Sequence, residues 1–398
     1  MATDPLAGVR VLDLTNVLAG PFACHQLAHM GATVIKVEAP GRGDLARNLG
    51  ADRALSAVGM GISFLAQNAG KKSVTLNLKD PRGADLLRRL VREADVLVEN
   101  FRPGVMARLG LGPDALRADN PRLIYCAISG FGQDGPWADR PAYDQIVQGA
   151  SGVMSITGDP AGGPMRVGYP LSDTIGGLTA AMAICAALQA EPRGGLIDVS
   201  MLEATLATMG WVVSDYLIGG VVPAARGNEN VTSAPSGAFQ AADGLLNIAA
   251  NKDEQWQALA LHLKREDLLL RPEFATREDR KTNRLRLRAE LETVLTTRPA
   301  TVWEKELNAI GVPAGAVLGV PEALAHPQVT DRGLVAHFDN VPGLGRGIDV
   351  VRTGFKINGQ PPAVADPPPM LGADNAAVFG ALGLTAAELR DLEQEGVI

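Results

Sequence analysis

The chain has 398 residues, with 37 Lys and Arg against 44 Asp and Glu for a formal charge of −7; at roughly 150 residues per domain this favours two domains and permits a large buried core. Hydrophobic residues at 46 % and charged residues at 20 % exclude a disordered chain, and an acidic balance without a dense Lys/Arg block removes the electrostatic basis for nucleic-acid binding. Residues 176–190, the most apolar stretch, fall short of the ~20 needed for a membrane span, residues 1–10 lack a signal pattern, and three widely spaced cysteines, Cys24, Cys126 and Cys185, make neither a disulfide framework nor a metal knuckle, so a soluble protein of a reducing cytoplasm is expected.

Residues 9–14 read as a buried strand. A helix over 21–30 follows, with Pro21 at its first position and Gly31 past its end. Strands are predicted at 33–37 and 73–78, and Asp80-Pro81 caps and starts a helix running to 93. Strands at 96–98 and 123–128 repeat the theme. Alternating strands and helices imply right-handed crossovers and a mainly parallel α/β sheet, with ligands at the carboxyl ends of its strands. Two long apolar helices, 174–190 and 201–219, flank a strand at 197–200. A Pro/Gly/Asn-rich loop at 223–237 precedes a hairpin over 238–250 that turns at Asp243-Gly244, then amphipathic helices at 252–263, 282–297 and 301–310. The chain therefore divides into a first large-domain part (1–222), a smaller inserted α+β domain (223–325) and a C-terminal return (326–398). That return holds Pro361-Pro362 and Pro367-Pro368-Pro369, a stiff extended crossing, and a last helix at 385–394.

Several signatures are excluded. Gly70-Lys71-Lys72-Ser73 lacks the spacing of a phosphate loop, and no G-x-G-x-x-G follows a strand. No G-x-S-x-G elbow is present. His25 and His29 share a helix face, but Gln26 stands where a zinc protease needs its Glu, so no metal is expected. Polar residues at strand ends remain. Glu99–Gly104 leaves a strand and is either a helix-start turn or a binding loop. Lys79, Arg102 and Arg108 follow strands, either as solvated charges or as a basic pocket for phosphates. Asp173 opens the apolar helix and has two compatible readings. It is a favoured N-cap type, or a carboxylate that the positive helix end keeps ionised as a nucleophile, with Gly176 and Gly177 admitting a close backbone or ligand.

A series of segments then carries a resemblance: PLAGVRVLDL at 5–14, LAGPF at 18–22, GATVIKVE at 31–38, KSVTLNLK at 72–79, ENFRPG at 99–104, SITG at 155–158, IDVSMLEA at 197–204, GVPAG at 311–315 and PPPMLG at 367–372. In this order, and nearly end to end, the chain resembles the class III coenzyme A transferases, the family of formyl-CoA transferase, carnitine CoA-transferase, the succinyl-CoA:dicarboxylate transferases and α-methylacyl-CoA racemase. The resemblance implies a Rossmann-like large domain built from both chain ends, a small domain from the middle, and two ring-shaped chains interlocked as a homodimer. Asp173 matches the catalytic aspartate. It implies attack on a donor thioester to give a mixed anhydride and CoA thiolate, then an aspartyl-CoA thioester, then transfer to an acceptor carboxylate; amides at the start of the 174 helix are expected to receive the oxyanion. Coenzyme A is a substrate, and no cofactor is permanently bound. Val17, Ala19, Leu76, Lys79, Asn100, Phe101, Arg108 and Met201 match CoA contacts, with Lys79 and Arg108 on phosphates and Phe101 with Asn100 at the adenine or pantetheine end. Leu18, Tyr143 and Asp144 match the acyl pocket.

Departures refine this reading. Tyr143 stands where the racemase branch has His, and a phenol of pKa ~10 is poorly suited to exchanging an α-proton. Leu18 replaces the Gln of the formyl/oxalate branch, and the short 227–237 segment replaces its glycine-rich lid, which argues against oxalate. Ala39 stands where an Arg is common, with Arg42 as its substitute. LAGPF and YLIG at 216–219 resemble the branch acting on succinate and other dicarboxylates. The expectation is an acyl-CoA:carboxylate CoA-transferase using succinyl-CoA or a similar donor, the alternatives being a racemase-type isomerase or a non-catalytic CoA-binding protein. Arg166 and Arg226 are either partners for a second carboxylate or ordinary surface residues.

Overall fold

The structure, a computed structural model, describes residues 4–398. It forms two compact units. The first contains the chain up to Val153, then Arg166–Val221 and Gln328–Ile398; the second contains Met154–Met165 and Val222–Pro327. The second unit therefore takes in a short segment, 154–165, beyond the insertion read from composition.

Six strands of the first unit, β1 (Arg10–Asp13), β2 (Thr33–Glu38), β3 (Lys71–Thr75), β4 (Val96–Glu99), β5 (Ile124–Ser129) and β6 (Gly195–Ser200), pair in parallel in the order β3-β2-β1-β4-β5-β6. This is the doubly wound α/β arrangement, and its connections reverse direction between β1 and β4. Parallel strands are covered on both faces and so read as continuous apolar runs. Successive residues divide between the faces with period two: Leu12, Leu97 and Tyr125 pack with the Pro81–Val91 helix, whereas Val11, Val96 and Ile124 pack with the Ala19–His29 and Leu171–Ala187 helices.

The chain end returns to this sheet. Val378, Phe379, Val397 and Ile398 are buried in the same cluster as Leu12. Asp374 and Asn375 accept the amides of Ser73 and Thr75 at 2.8 Å each, which covers the outer edge of β3.

The second unit pairs β7 (Ser236–Gln240), β8 (Leu245–Ala249) and β9 (Ala314–Ala316) antiparallel, the β7–β8 turn falling at Asp243-Gly244. Phe239, Leu246, Trp256, Leu291 and Trp303 form its core with the helices Asp253–His262, Arg284–Leu295 and Ala300–Ala309. In the first unit, β10 (Val335–Phe338) and β11 (Ile348–Val351) make a further antiparallel hairpin packed on Met60 and Leu65. The single helix expected over 201–219 is two, Met201–Thr208 and Gly210–Gly219, broken at Met209. Strand β3 ends at Thr75, short of 78, because the Asn77 amide turns to the Val397 carbonyl at 2.8 Å. Among the described residues no helix is long and apolar enough to cross a membrane.

Candidate active site

Where β1 and β4 diverge, the loops leaving their carboxyl ends are tied together. The Asn16 amide donates to Asn100 Oδ1 and Asn100 Nδ2 donates back to the Asn16 carbonyl, both at 2.8 Å. A cavity of about 340 Å3 opens beside this pair, in the position where doubly wound sheets bind ligands. Val17, Leu18 and Ala19 line it from the β1 side and Asn100 and Phe101 from the β4 side; Tyr143, Asp173 and Met201 complete the wall. Eight of the residues matched by the resemblance thus share one cavity.

Asp173 does not cap its helix. The helix is Leu171–Ala187 with Pro170 at the N-cap, and Asp173 lies inside the first turn. The capping carboxylate comes from Asp144, which opens the Asp144–Ala150 helix and is buried. Its Oδ1 accepts the amides of Ser172 at 2.8 Å and Asp173 at 3.3 Å, and its Oδ2 accepts Gln148 Nε2 at 2.7 Å. Two expectations are corrected by this arrangement. The amides meant for an oxyanion are occupied, since the Thr174 amide also pairs, with the Pro170 carbonyl at 3.0 Å. The first amides of the helix likewise bond the Asp144 carboxylate and not the Asp173 side chain. Burial, and then the Asp144 charge, push the Asp173 carboxyl up to about 7.

Gly176 and Gly177 explain how this helix reaches the β1 loop. A Cβ on Gly177 would stand 2.5 Å from the Ala19 carbonyl oxygen, and one on Gly176 2.9 Å from Met201 Cγ. Only a glycine at each position lets the Asp173 helix seat against the Ala19 backbone and Met201.

Lys79 and Arg108 line a separate cavity of about 470 Å3. Both are exposed there and able to meet anionic groups. Arg102 lines the Asp173 cavity instead, so the basic cluster read from the sequence is split between two places.

The sequence profile of CoA-transferase family III matches residues 6–375. The chain belongs to CoA-transferase family III. It is 40 % identical over 386 residues to the succinate–glutarate CoA-transferase of Agrobacterium fabrum, covering 95 % of this chain and 96 % of that one. It is 43 % identical over 338 residues to the acetyl-CoA:oxalate CoA-transferase of Acetobacter aceti, covering 83 % and 85 %. Among solved structures, a CAIB/BAIF family protein from Brucella suis superposes with a TM-score of 0.84 at 34 % identity, covering 96 % of this chain and 100 % of that one.

Other sequence-derived candidates of the transferase fall elsewhere. The Leu76 side chain is 2 % exposed and packed in the core with Val74 and Leu86, so it offers CoA no side-chain contact. Arg166 does not line the Asp173 cavity, and Arg226 belongs to the second unit. Arg140, not singled out in the sequence, does line it, with its guanidinium 4.6 Å from the centre of the Trp137 ring. Arg42 lines a cavity of about 770 Å3 that shares Asn16 and Leu45 with the first.

Sequence reasoning also missed a buried charged network under the β1 loop. Lys71 Nζ meets Asp13 Oδ2 at 2.8 Å, Lys36 Nζ meets Asp44 Oδ2 at 3.0 Å, and Arg47 Nε meets Glu38 Oε2 at 2.7 Å, all essentially without solvent exposure. Burial would raise the Asp13 carboxyl, but Lys36 and Lys71 outweigh it and hold that carboxyl well below the usual range. The available signal was charge inside strands: Asp13 in RVLD, Lys36 and Glu38 in TVIKVE. Among the described residues no three His, Cys, Asp or Glu side chains are grouped to hold a metal.

Proposed function

We propose that this CoA-transferase moves CoA between carboxylic acids through Asp173, with succinyl-CoA or another dicarboxylyl-CoA as donor and a dicarboxylate as acceptor. The carrying observation is the Asp173 carboxyl in the wall of the cavity framed by Val17, Ala19, Asn100 and Phe101. An Asp173 carboxylate oxygen attacks the thioester carbonyl, the C–S bond breaks, and CoA leaves as thiolate from a mixed anhydride. The thiolate then attacks the Asp173 carbonyl carbon, forming an aspartyl-CoA thioester and releasing the donor acid as carboxylate. The acceptor carboxylate attacks that thioester and expels the thiolate, which returns to the acceptor acyl carbon and frees Asp173. Each exchange conserves the thioester so long as water is kept from the anhydride.

Lys79 and Arg108 suit the phosphates of CoA as exposed cations sharing a cavity. CoA is a substrate in this scheme, and no resident cofactor or metal is invoked. A dicarboxylate is favoured by Arg102 and Arg140, cations in the Asp173 cavity. Arg140 has no carboxylate partner among the described residues, and guanidinium matches a carboxylate in a bidentate pair. Succinate, glutarate and oxalate, named in the two relatives above, are all dicarboxylates. Oxalate therefore belongs in the acceptor screen despite Leu18. Racemisation is disfavoured by Tyr143, and deuterium exchange at the α-carbon would reveal it.

The homodimer is part of the same proposal. Trp211 is 86 % and Ile218 87 % exposed on a helix with no buried residue, an apolar surface suited to self-association. A cytoplasmic site of action is proposed from the three unpaired cysteines.

The test is intact-mass analysis after incubation with succinyl-CoA and trapping with hydroxylamine or borohydride. A modification mapped to Asp173 is expected. An unmodified chain across several acyl-CoAs overturns the covalent mechanism.

A further inference from the structure

Val17 has a φ of +68°. Left-handed backbone is a rare state for a β-branched residue and persists only where the surroundings impose it. Here the strained residue is part of the candidate site, one position before Leu18 and two before Ala19, all three lining the Asp173 cavity.

The bonds that impose this conformation come from below. The Val17 amide donates to Asp44 Oδ1 at 2.9 Å. Asp44 Oδ2 faces Lys36 Nζ at 3.0 Å, with both side chains fully buried. Lys36 Nζ in turn donates to the Thr15 carbonyl at 2.8 Å. The two members of one ion pair thus hold the loop at two points, the ammonium a carbonyl and the carboxylate an amide two residues later. Asp44 is itself fixed, its amide donating to Glu38 Oε2 at 2.9 Å. Burying two charges costs about as much as their attraction returns, so net stability is a weak reason for this pair. Holding a specific backbone conformation is a better one.

We propose that Asp44 and Lys36 are positioning residues for acyl-CoA. They keep Val17 in its left-handed conformation, so that Leu18 and Ala19 meet the thioester end of the substrate beside Asp173. This rests on the proposed function only for the identity of the ligand.

The experiment measures the CoA dissociation constant by calorimetry, and the acyl-CoA KM, for the wild type, Asp44→Ala, and Asp44→Ala combined with Val17→Gly. Glycine enters the left-handed region without strain, so it lessens the need for the carboxylate. Asp44→Ala is expected to weaken CoA binding and raise KM by about tenfold, roughly what losing a charge-assisted hydrogen bond costs. Adding Val17→Gly is expected to recover at least half of that loss on a logarithmic scale. A part played only in stability would lower the melting temperature, and the glycine would recover no binding. Unchanged binding in Asp44→Ala, or the same loss with and without Val17→Gly, overturns the proposal. If Asp44→Ala does not fold, Asp44→Ala with Lys36→Met, which removes the ion pair whole and leaves no unpaired buried charge, carries the same comparison with the same two outcomes. Wild-type protein that binds CoA but transfers nothing would sink the proposed function and leave this inference standing; wild-type protein that binds no CoA would sink both.

Discussion

One carboxylate oxygen of Asp144 accepts the backbone amide of Asp173 at 3.3 Å, while the same charge helps hold the Asp173 carboxyl up at about 7. The residue that orders the helix start thus adds, after burial, to the upward shift of its neighbour's carboxyl. An attacking carboxylate must be ionised, so adduct formation with a saturating acyl-CoA is expected to rise roughly tenfold per pH unit below about pH 7 and then level off. Asp144→Asn removes the like charge and keeps an oxygen for the cap, and it should move the rise to lower pH. Rapid-quench mass analysis across pH gives both profiles; a flat wild-type profile would reject Asp173 as the ionising group.

The same shift has a consequence for stability. The folded state holds the Asp173 proton up to about pH 7, whereas an unfolded Asp releases it near pH ~4. The folded state therefore binds more protons between those limits, and stability falls as pH rises through that window. Asp173→Asn cannot ionise and escapes the cost. It is expected to be more stable than wild type at about pH 8, by on the order of 1–2 kcal/mol, with no gain near pH 4. Urea unfolding at the two pH values checks this, and a variant less stable than wild type at pH 8 contradicts it.

Lys79→Ala and Arg108→Ala should raise the acyl-CoA KM more than they lower kcat. Phosphate contacts distant from the reacting carbon stabilise bound substrate and transition state alike. A kcat defect at unchanged KM would place these side chains in the chemistry.

Arg140→Gln should separate substrates by charge. Succinyl-CoA loses its partner for the free carboxylate, and kcat/KM should fall by about ten- to a hundredfold, the range for a charged hydrogen bond. Acetyl-CoA, with no second carboxylate, should lose far less. An equal loss for both would assign Arg140 to CoA itself.

Much of this is legible in the sequence. Strand–helix alternation and the apolar runs around Val11, Val34 and Ile124 specify a parallel sheet with ligands at the carboxyl ends of its strands, whereas which two strands flank the cavity follows only from the strand order. The loop residues Val17–Ala19, Asn100 and Phe101 come from resemblance, and the β1–β4 divergence brings them together. The Asp144 cap was not legible. A side chain closing another helix twenty-odd positions on follows from tertiary placement, and local N-cap preference pointed to Asp173 itself. The placement of Leu76 and of Arg140 was hidden for a related reason. Neither resemblance nor position along the chain says whether a side chain turns into the core, as Leu76 does, or into a cavity 39 positions after Phe101, as Arg140 does.

The buried charges beneath the β1 loop give the sharpest stability test. Lys71 Nζ bonds Asp13 Oδ2 at 2.8 Å and the Pro21 carbonyl at 3.0 Å, with both charged side chains fully buried. Lys71→Met leaves the Asp13 carboxylate with Lys36 Nζ at 3.9 Å and the Thr15 hydroxyl and amide. An uncompensated buried charge costs about 3–5 kcal/mol, while replacing both members of a pair by apolar groups is often neutral. Lys71→Met alone should therefore lose several kcal/mol, and Asp13→Leu in the same chain should restore part of it. The restoration should be incomplete, because the Thr15 hydroxyl and amide also depend on Asp13 and its loss leaves both without that acceptor. Chemical denaturation of the two variants against wild type decides it. A single variant as stable as wild type, or a double variant with no recovery, would mean that Asp13 and Lys71 are not coupled as their geometry requires.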